Sequence, residues 1–326
     1  MNSLHLLDRA SLLEQYQVGR RNFSHHQLIG QTLNYLHLNR INVSDGELAQ
    51  LTAHNAQLIQ ADFTRTAVRH SDLVQAVLIE ANLGQSRWQQ VNLSMADLSG
   101  AIASNSHWQQ CCLNQAQLQG SSWVRAQVEP STSFAQTDWT GATLTQGQFA
   151  HTCFNRARWV RVIAARANFS SASLQSIQAV RAYLKQANLR QADLQGANLS
   201  FSDLRAADLT GANLTGANLE GADLSGAQCD RALFAQAQLE GAEFQNTSCV
   251  ATQFRDARLV GTNFLNARLT QANFCQANLS QAGLLCADVT QANFQGAITQ
   301  GTQFIGTNIS AAVETETVLK QSIHLA

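Results

Sequence analysis

The chain has 326 residues, a formal net charge of −1 at pH 7 and only 13% charged residues. Ordinary domains carry about 25% charged residues, so uncharged Gln, Asn, Ser and Thr must cover much of this surface. A net charge near zero excludes a global field that would attract nucleic acid or an anionic membrane. The start of the chain does not resemble a signal peptide and no apolar run approaches about 18 residues, so we expect neither secretion nor membrane insertion.

The seven cysteines indicate a reducing compartment. Their number is odd, and no Cys-x-x-Cys spacing occurs. Both features are typical of free thiols and not of a disulfide framework or a zinc site. We therefore predict a cytoplasmic protein with free cysteines.

Residues 1–19 precede a repeat and are predicted to form a helical cap. Ser11 and Glu14 have the spacing of a capping box, and Gly19 is suited to end a helix. The first coil of a repeat array exposes backbone groups and apolar interior, so it requires a cover of this kind. A helix that binds a partner protein is the alternative interpretation.

A five-residue unit fills most of the remaining chain and is most regular in residues 187–224. It has the form Ala-(Asn/Asp)-Leu-x-x there, and we number it from the leucine, position i. Positions i−2 and i point to the same side of an extended strand, so a small and a large residue would both lie inside. The polar residue at i−1 would point outward and bond to the corner backbone. Glycine, frequent at i+2, accepts the positive φ of a tight corner.

The first coils depart from this pattern. Arg21, His26 and Gln31 occupy i−2 positions at which alanine is expected. We expect an irregular first coil in which some of these polar side chains turn out to solvent, because the interior offers them no partners.

The repeat has two registers joined by a slip of one residue. Position i recurs every five residues up to Val128 and mostly holds a large residue, and the next residue at i, Phe134, follows after six. Pro130 lies inside this slip, and proline suits a bulged corner because it donates no N–H bond to the ladder. The chain therefore divides into a helical cap, the first register, the slip, the second register and a C-terminal cap, with the respective bounds 1–19, 20–128, 129–133, 134–312 and 313–326.

The phenylalanines indicate how many sides one coil has. Two series recur with a period of 20 residues and are offset by ten: Phe234, Phe254, Phe274 and Phe294, and Phe244, Phe264 and Phe304. In a coil of four five-residue sides, each series becomes a vertical column, and the two columns lie on opposite walls. Such an interior is filled by its own side chains, which leaves no room for a ligand.

This pattern of tandem five-residue units resembles the pentapeptide-repeat family, and the match covers nearly all of the chain. The resemblance implies an all-β fold, a right-handed quadrilateral parallel β-helix, here with short N- and C-terminal caps. The opening LLEQYQVGRRNF is similar to the start of cyanobacterial members. In some members the C-terminal end mediates dimerisation, so a homodimer through a terminal cap is left open for this chain.

Trp88 and Trp108 allow two interpretations. They lie 20 residues apart in matching Ser-x-Trp-Gln-Gln units. In the preferred interpretation, both indoles fill a widened coil and donate their N–H groups to corner carbonyls. In the other, both side chains turn outward and form a binding platform.

No group of residues has the spacing of a catalytic or metal site. The nine histidines do not pair with cysteines or carboxylates at ligand spacing. Cys229 and Cys249 lie one coil apart and point inward, where parallel side chains in an apolar interior favour two buried thiols over a disulfide. The glycines follow the repeat and form no phosphate loop. We therefore predict no catalytic residue, no cofactor and no metal, and a protein that is not an enzyme.

One run of charge stands out from this background. No acidic residue occurs between Asp138 and Asp193, whereas seven basic residues do. Folding the repeat by 20 residues gathers them along two adjoining walls. We name this surface the basic edge, and its candidate partner-binding residues are Arg158, Arg161, Arg166, Arg181, Lys185, Phe201 and Arg205. It suits an acidic protein surface or a phosphate-bearing ligand; the alternative is a solvated basic band balanced by acids elsewhere.

Three functions compete on these grounds. The first is a rigid, non-enzymatic scaffold that docks a protein partner on its outer walls, in the assembly or regulation of a larger complex. The second, implied by the family, is a DNA mimic that binds a DNA topoisomerase and protects gyrase, but that role needs a strongly negative surface. The third is non-specific binding of nucleic acid or a phosphate ligand at the basic edge, against which the flanking acids argue. We adopt the first.

Overall fold

The computed structural model describes residues 4–313 as a parallel β-solenoid. Residues at i−1 pair in parallel with the residue 20 positions further along, and this occurs on every wall of a coil. In the first coils these pairs are Asn22↔Asn42, Gln27↔Glu47, Thr32↔Thr52 and His37↔Gln57. One coil therefore has four sides of five residues, as the phenylalanine spacing predicts.

On one wall the pairing is long enough to form a regular sheet of seven parallel strands, whose order follows the chain. In the chain, helix α1 (Arg9–Gln17) comes after the first strand and before the second. The strands are β1 (His5–Leu6), β2 (His26–Ile29), β3 (Glu47–Ala49), β4 (Ala67–Arg69), β5 (Arg87–Gln89), β6 (His107–Gln109) and β7 (Gln127–Val128). The other walls carry one paired residue per coil.

The chain divides into two compact units, Met1–Ile163 and Ala164–Ala326. The first unit contains α1, the seven-stranded sheet and the register slip. Across that slip the pairing offset is 21 residues for Cys112↔Ser133 and again 20 for Ser133↔Cys153. The extra residue lies after β7, in the turn that contains Pro130. Of the predicted C-terminal cap, residues 314–326 lie outside the described residues, and Val313 still pairs with Asn293.

The first unit begins with a strand and a helix that close the first coil. β1 pairs with β2 and adds one strand to the sheet, and α1 buries Leu12 completely. The predicted capping box at Ser11 is wrong. The N-cap is Asp8, which follows β1 almost directly, and its carboxylate accepts the backbone N–H of Ser11 at 2.7 Å. The helix ends at Gln17, close to Gly19, which has a φ of +99°.

The irregular i−2 residues of the first coil bind this cap. The side-chain oxygen of Gln31 accepts the backbone N–H of Arg9 at 3.0 Å. Arg21 donates to the carbonyl of Tyr16 at 2.8 Å, and its guanidinium lies 3.7 Å from the centre of the Tyr16 ring. These side chains leave the interior as expected, but they turn toward α1 because its backbone and ring offer them partners.

The interior of the second unit is a ladder of phenylalanines. The rings of Phe234, Phe254, Phe274 and Phe294 stack at centroid distances of 5.2, 5.0 and 5.1 Å. Phe244 and Phe264 form the second column, 5.0 Å apart. Both columns lie inside, so the predicted 20-residue period is confirmed.

The first unit fills its interior with tryptophan. Trp88 and Trp108 are fully buried and stack at 5.0 Å, so the outward platform is wrong. Their indole N–H groups donate to Ser86 Oγ and Ser106 Oγ, each at 2.7 Å, and not to corner carbonyls as predicted. The serine hydroxyls lie closer to the indole N–H groups than the corner carbonyls do, because the side chains at i−2 and i point into the same interior.

Candidate protein-docking surface

The interior leaves little space for a ligand, so the outer walls are the surfaces that can recognise a partner. An apolar cavity beneath α1 measures about 30 Å³, whereas ligand pockets measure about 300–1,000 Å³. Within residues 4–313, no group of three or more His, Cys, Asp or Glu side chains is placed to hold a metal ion. No described helix has the length and hydrophobicity needed to cross a membrane.

In the first unit the basic edge consists of Arg158 and Arg161. Arg158 lies at i−1, with its side chain 61% exposed and its Nη1 4.0 Å from Asp138 Oδ2. Arg161 lies at the i+2 corner with a φ of +56° and is exposed. The long separation makes the Arg158 ion pair weak, because two exposed charges at 4 Å contribute little in water.

In the second unit one corner column holds Arg181, Phe201 and Gly221. All three lie at i+2 with φ near +60°, and each corner is bonded to the next coil: Arg181 N–H donates to the Ser200 carbonyl at 3.0 Å and Phe201 N–H to the Glu220 carbonyl at 2.9 Å. Phe201 is 54% exposed. The backbone therefore fixes an aromatic side chain at an outer corner, one coil after Arg181.

The Phe201 ring packs against Gly221. A Cβ built on this glycine would lie only 2.7 Å from Cδ1 of the ring, so the ring occupies the space that any other side chain would fill. Gly221 also has a φ of +61°, which glycine accepts without steric cost. The ring thus leans onto the following coil, away from that of Arg181, and stays 54% exposed.

Arg205 lies on the adjoining wall and is held by two carboxylates. Its guanidinium donates to both oxygens of Asp203, at 2.9 and 2.5 Å, and Asp223 Oδ2 is 3.6 Å away. Partial burial opposes ionisation of Asp203, but the hydrogen bonds and charge of Arg205, with the charge of Lys185, together lower the pKa of Asp203 below its ordinary value. Asp203 and Asp223 follow the acid-free stretch, which is why the run of charge did not reveal them.

Of the four candidate cations in this unit, Arg181 and Lys185 have no side-chain partner among residues 4–313. Arg166 donates to Gln186 Oε1 at 2.8 Å, and Arg190, outside the candidate set, pairs with Asp208 at 3.0 Å. Neither Arg181 nor Lys185 forms an ion pair with any residue in 4–313. Arg181 and Lys185 are therefore available to a partner, and they lie in the coil that precedes the exposed Phe201 ring.

Two further residues at this surface were missed by sequence reasoning. Tyr183, between Arg181 and Lys185, is 37% exposed, and Glu220, next to Gly221, is exposed. Both could have been found by extending the 20-residue folding to the coils on either side of Phe201.

The comparisons with known proteins agree with the repeat. A model of pentapeptide repeats matches in eight copies, within residues 56–94, 71–107, 182–221, 212–248 and 247–284. No curated protein matches the chain. Among solved structures, HetL, a pentapeptide repeat protein involved in heterocyst differentiation regulation from the cyanobacterium Nostoc sp. strain PCC 7120, is 24% identical, with 98% of this chain and 100% of HetL covered and a TM-score of 0.24.

Two other solved structures are also similar. QnrB1, a plasmid-mediated fluoroquinolone resistance protein, is 18% identical, with 62% of this chain and 92% of that chain covered and a TM-score of 0.37. A pentapeptide repeat protein from the Arabidopsis thaliana thylakoid lumen is 31% identical over 33% of this chain and 66% of its own, with a TM-score of 0.20. The repeat, the four-sided coils and the family match together show that the chain belongs to the pentapeptide-repeat family.

Proposed function

We propose that this protein is a non-enzymatic interaction scaffold that docks a protein partner on its outer walls, with the basic edge as its docking surface. One observation carries the proposal: Arg181 and Lys185, without ion pairs among the described residues, lie in the coil before a Phe201 ring that is 54% exposed. The free cysteines are in keeping with a reducing compartment, and we place the protein in the cytoplasm.

The two cations of this surface fit carboxylates on a partner. Arginine and aromatic side chains are enriched at the energetic centres of protein interfaces, because arginine forms charge-assisted hydrogen bonds and aromatic rings bury much area. Phe201 is already restrained by its packing against Gly221, so docking would cost its side chain little further conformational entropy. Arg181 and Lys185 would then pair with carboxylates of the partner as water leaves the contact.

Photo-crosslinking from position 201 tests the proposal. Phe201 would be replaced by benzoylphenylalanine, the protein irradiated in its native cell extract, and the cross-linked peptides identified by mass spectrometry. We expect a peptide from a protein surface that offers carboxylates to Arg181 and Lys185, and we expect Arg181→Glu with Lys185→Glu to abolish the cross-link.

The matched control is Arg231→Glu, an exposed cation at the i+2 corner of a different column in the same unit. It should leave the cross-link unchanged. Arg161→Glu tests the first unit's part of the basic edge in the same way. Equal cross-linking by the Arg181→Glu, Lys185→Glu variant and the parent would remove this surface as the docking site.

A further inference from the structure

The corner column that carries Phe201 changes the sign of its charge along the solenoid. Arg181 and Lys185 belong to the coil before Phe201, and Glu220 and Asp223 flank the corner of the coil after it. Glu220 is exposed and forms no ion pair with the residues that the structure describes. Asp223 keeps 37% of its side chain exposed despite Arg205. The edge therefore has a basic half, an aromatic centre and an acidic half.

These halves are equally far from Phe201. Arg181 and Gly221 each lie one coil away from Phe201, on opposite sides, and one coil rises by about 4.8 Å. A two-fold axis that crosses the edge at Phe201 would turn a second copy antiparallel. It would place the Arg181 coil of each copy opposite the Glu220 coil of the other, so every contact would occur twice, as in isologous dimers.

We infer that the partner docked on this edge is a second copy of the chain, in an antiparallel dimer centred on Phe201. The inference rests on the proposed function and names its partner. Arg181 of the second copy faces Gly221, where the Phe201 ring lies, so the guanidinium covers an aromatic face with Glu220 and Asp223 on either side. Lys185 meets Asp223 on the adjoining wall.

Charge complementarity favours a second copy over an unrelated acidic protein. The edge carries two available cations and two carboxylates with exposed surface, so it neutralises itself when turned end for end, whereas a uniformly acidic surface would repel Glu220 and Asp223. The net charge of the chain is only −1, so two copies do not repel each other strongly. The patch is small, and its ion pairs are exposed at the rim, so the dimer is weak and sensitive to salt.

Sedimentation velocity with two charge-reversed variants tests the dimer. Arg181→Glu with Lys185→Glu makes both halves acidic. Glu220→Lys with Asp223→Asn makes the acidic half basic, and the asparagine keeps the side-chain oxygen that accepts the Ser225 N–H at 2.9 Å. Each variant alone should sediment as a monomer at low ionic strength, and an equimolar mixture should form dimers again, because both contacts of the mixed pair join opposite charges.

The wild-type protein should show a sedimentation coefficient that rises with concentration at low salt and returns to the monomer value near 1 M salt, where the Debye length falls to about 3 Å. Arg231→Glu should dimerise like the wild type. Far-UV circular dichroism verifies that each variant is folded. A wild-type protein that is monomeric at every concentration, a mixture that stays monomeric, or a dimer that survives both reversals would overturn the inference.

The cross-linking experiment distinguishes disproof of the dimer from disproof of the proposed function. A monomeric protein that still cross-links from position 201 to a different acidic protein would disprove the dimer and leave the docking function standing. A monomer without any cross-link would disprove both.

Discussion

The two compact units fill the same four-sided coil in different ways. The first unit places five tryptophans at i, all fully buried, and the second stacks phenylalanines there. Four of the indole donors have a hydroxyl-bearing residue at i−2: Ser86, Ser106, Ser121 and Thr137. The phenylalanines carry no polar atom, and alanine and threonine both occur at i−2 before them, as in Ala272 before Phe274 and Thr252 before Phe254.

The difference shows how the residue at i−2 can serve a tryptophan at i. A buried donor without an acceptor costs about 1–3 kcal/mol, so an indole requires an oxygen inside the coil. The hydroxyl is satisfied in turn: Ser86 Oγ donates to the Leu83 carbonyl at 2.5 Å while it accepts from Trp88. Ser-x-Trp therefore acts as one structural unit, whereas phenylalanine needs only a small neighbour.

The largest effect is expected from the phenylalanine ladder. Phe254→Ala removes a ring stacked on Phe234 at 5.2 Å and on Phe274 at 5.0 Å, and the closed coil cannot collapse onto the space. We expect a loss of about 3–5 kcal/mol in the free energy of unfolding, measured by urea denaturation followed by circular dichroism. Phe254→Leu keeps most of the volume and should lose less than about 1.5 kcal/mol. Equal losses in the two variants would contradict the ladder's role.

A smaller effect is expected from the tryptophan unit. Ser106→Ala removes the acceptor of the Trp108 N–H, which is 2.7 Å away and fully buried, and should cost about 1–3 kcal/mol. Tryptophan fluorescence is the suitable probe, because all five indoles lie in the first unit. In the Trp108→Phe background, which has no indole donor, Ser106→Ala should cost much less. An equal cost in both backgrounds would show that the hydroxyl does not serve the indole.

This contrast also shows what the sequence could predict. The period of 20 residues and the inward Phe254 followed from spacing alone, because a strand alternates its sides strictly. The acceptor of Trp108 did not, since the spacing says that Ser106 is inside but not which oxygen the indole reaches. The available charge of the docking surface depends likewise on Arg205 reaching back to Asp203, a choice of side-chain conformation that spacing does not determine.

The N-terminal cap, described in the first unit, offers the next test. Asp8→Ala removes the side chain that accepts the Ser11 N–H and should destabilise the first unit by about 1 kcal/mol. Partial loss of α1 would appear in circular dichroism at 222 nm, and tryptophan fluorescence would report the unfolding midpoint. Ser11→Ala should cost less, because Ser11 lies within the helix. A larger loss of stability in Ser11→Ala than in Asp8→Ala would instead support the capping box at Ser11 that the sequence suggested.

The smallest effect concerns the ion pairs on the outside of both units. The hydrogen bond and charge of Arg65 lower the pKa of Asp45 in the first unit, and Arg205 does the same for Asp203 against the opposing effect of burial. A carboxylate with a lowered pKa binds fewer protons in the folded chain than in the unfolded one. Its stabilisation is therefore complete above the unfolded pKa of about 3.9 and is lost as the pH falls through the folded value.

Arg205→Gln removes the cation that holds Asp203. Because Arg205 is 45% exposed, solvent screens the pair, and we expect only a small loss in the free energy of unfolding at pH 7. The difference from the wild type should shrink in urea denaturation at pH 3 and disappear at lower pH. If the free energies of unfolding of Arg205→Gln and the wild type still differ at pH 2, Arg205 stabilises the fold through packing and not through its charge. The charge of Arg205 would then be available to a partner, like those of Arg181 and Lys185.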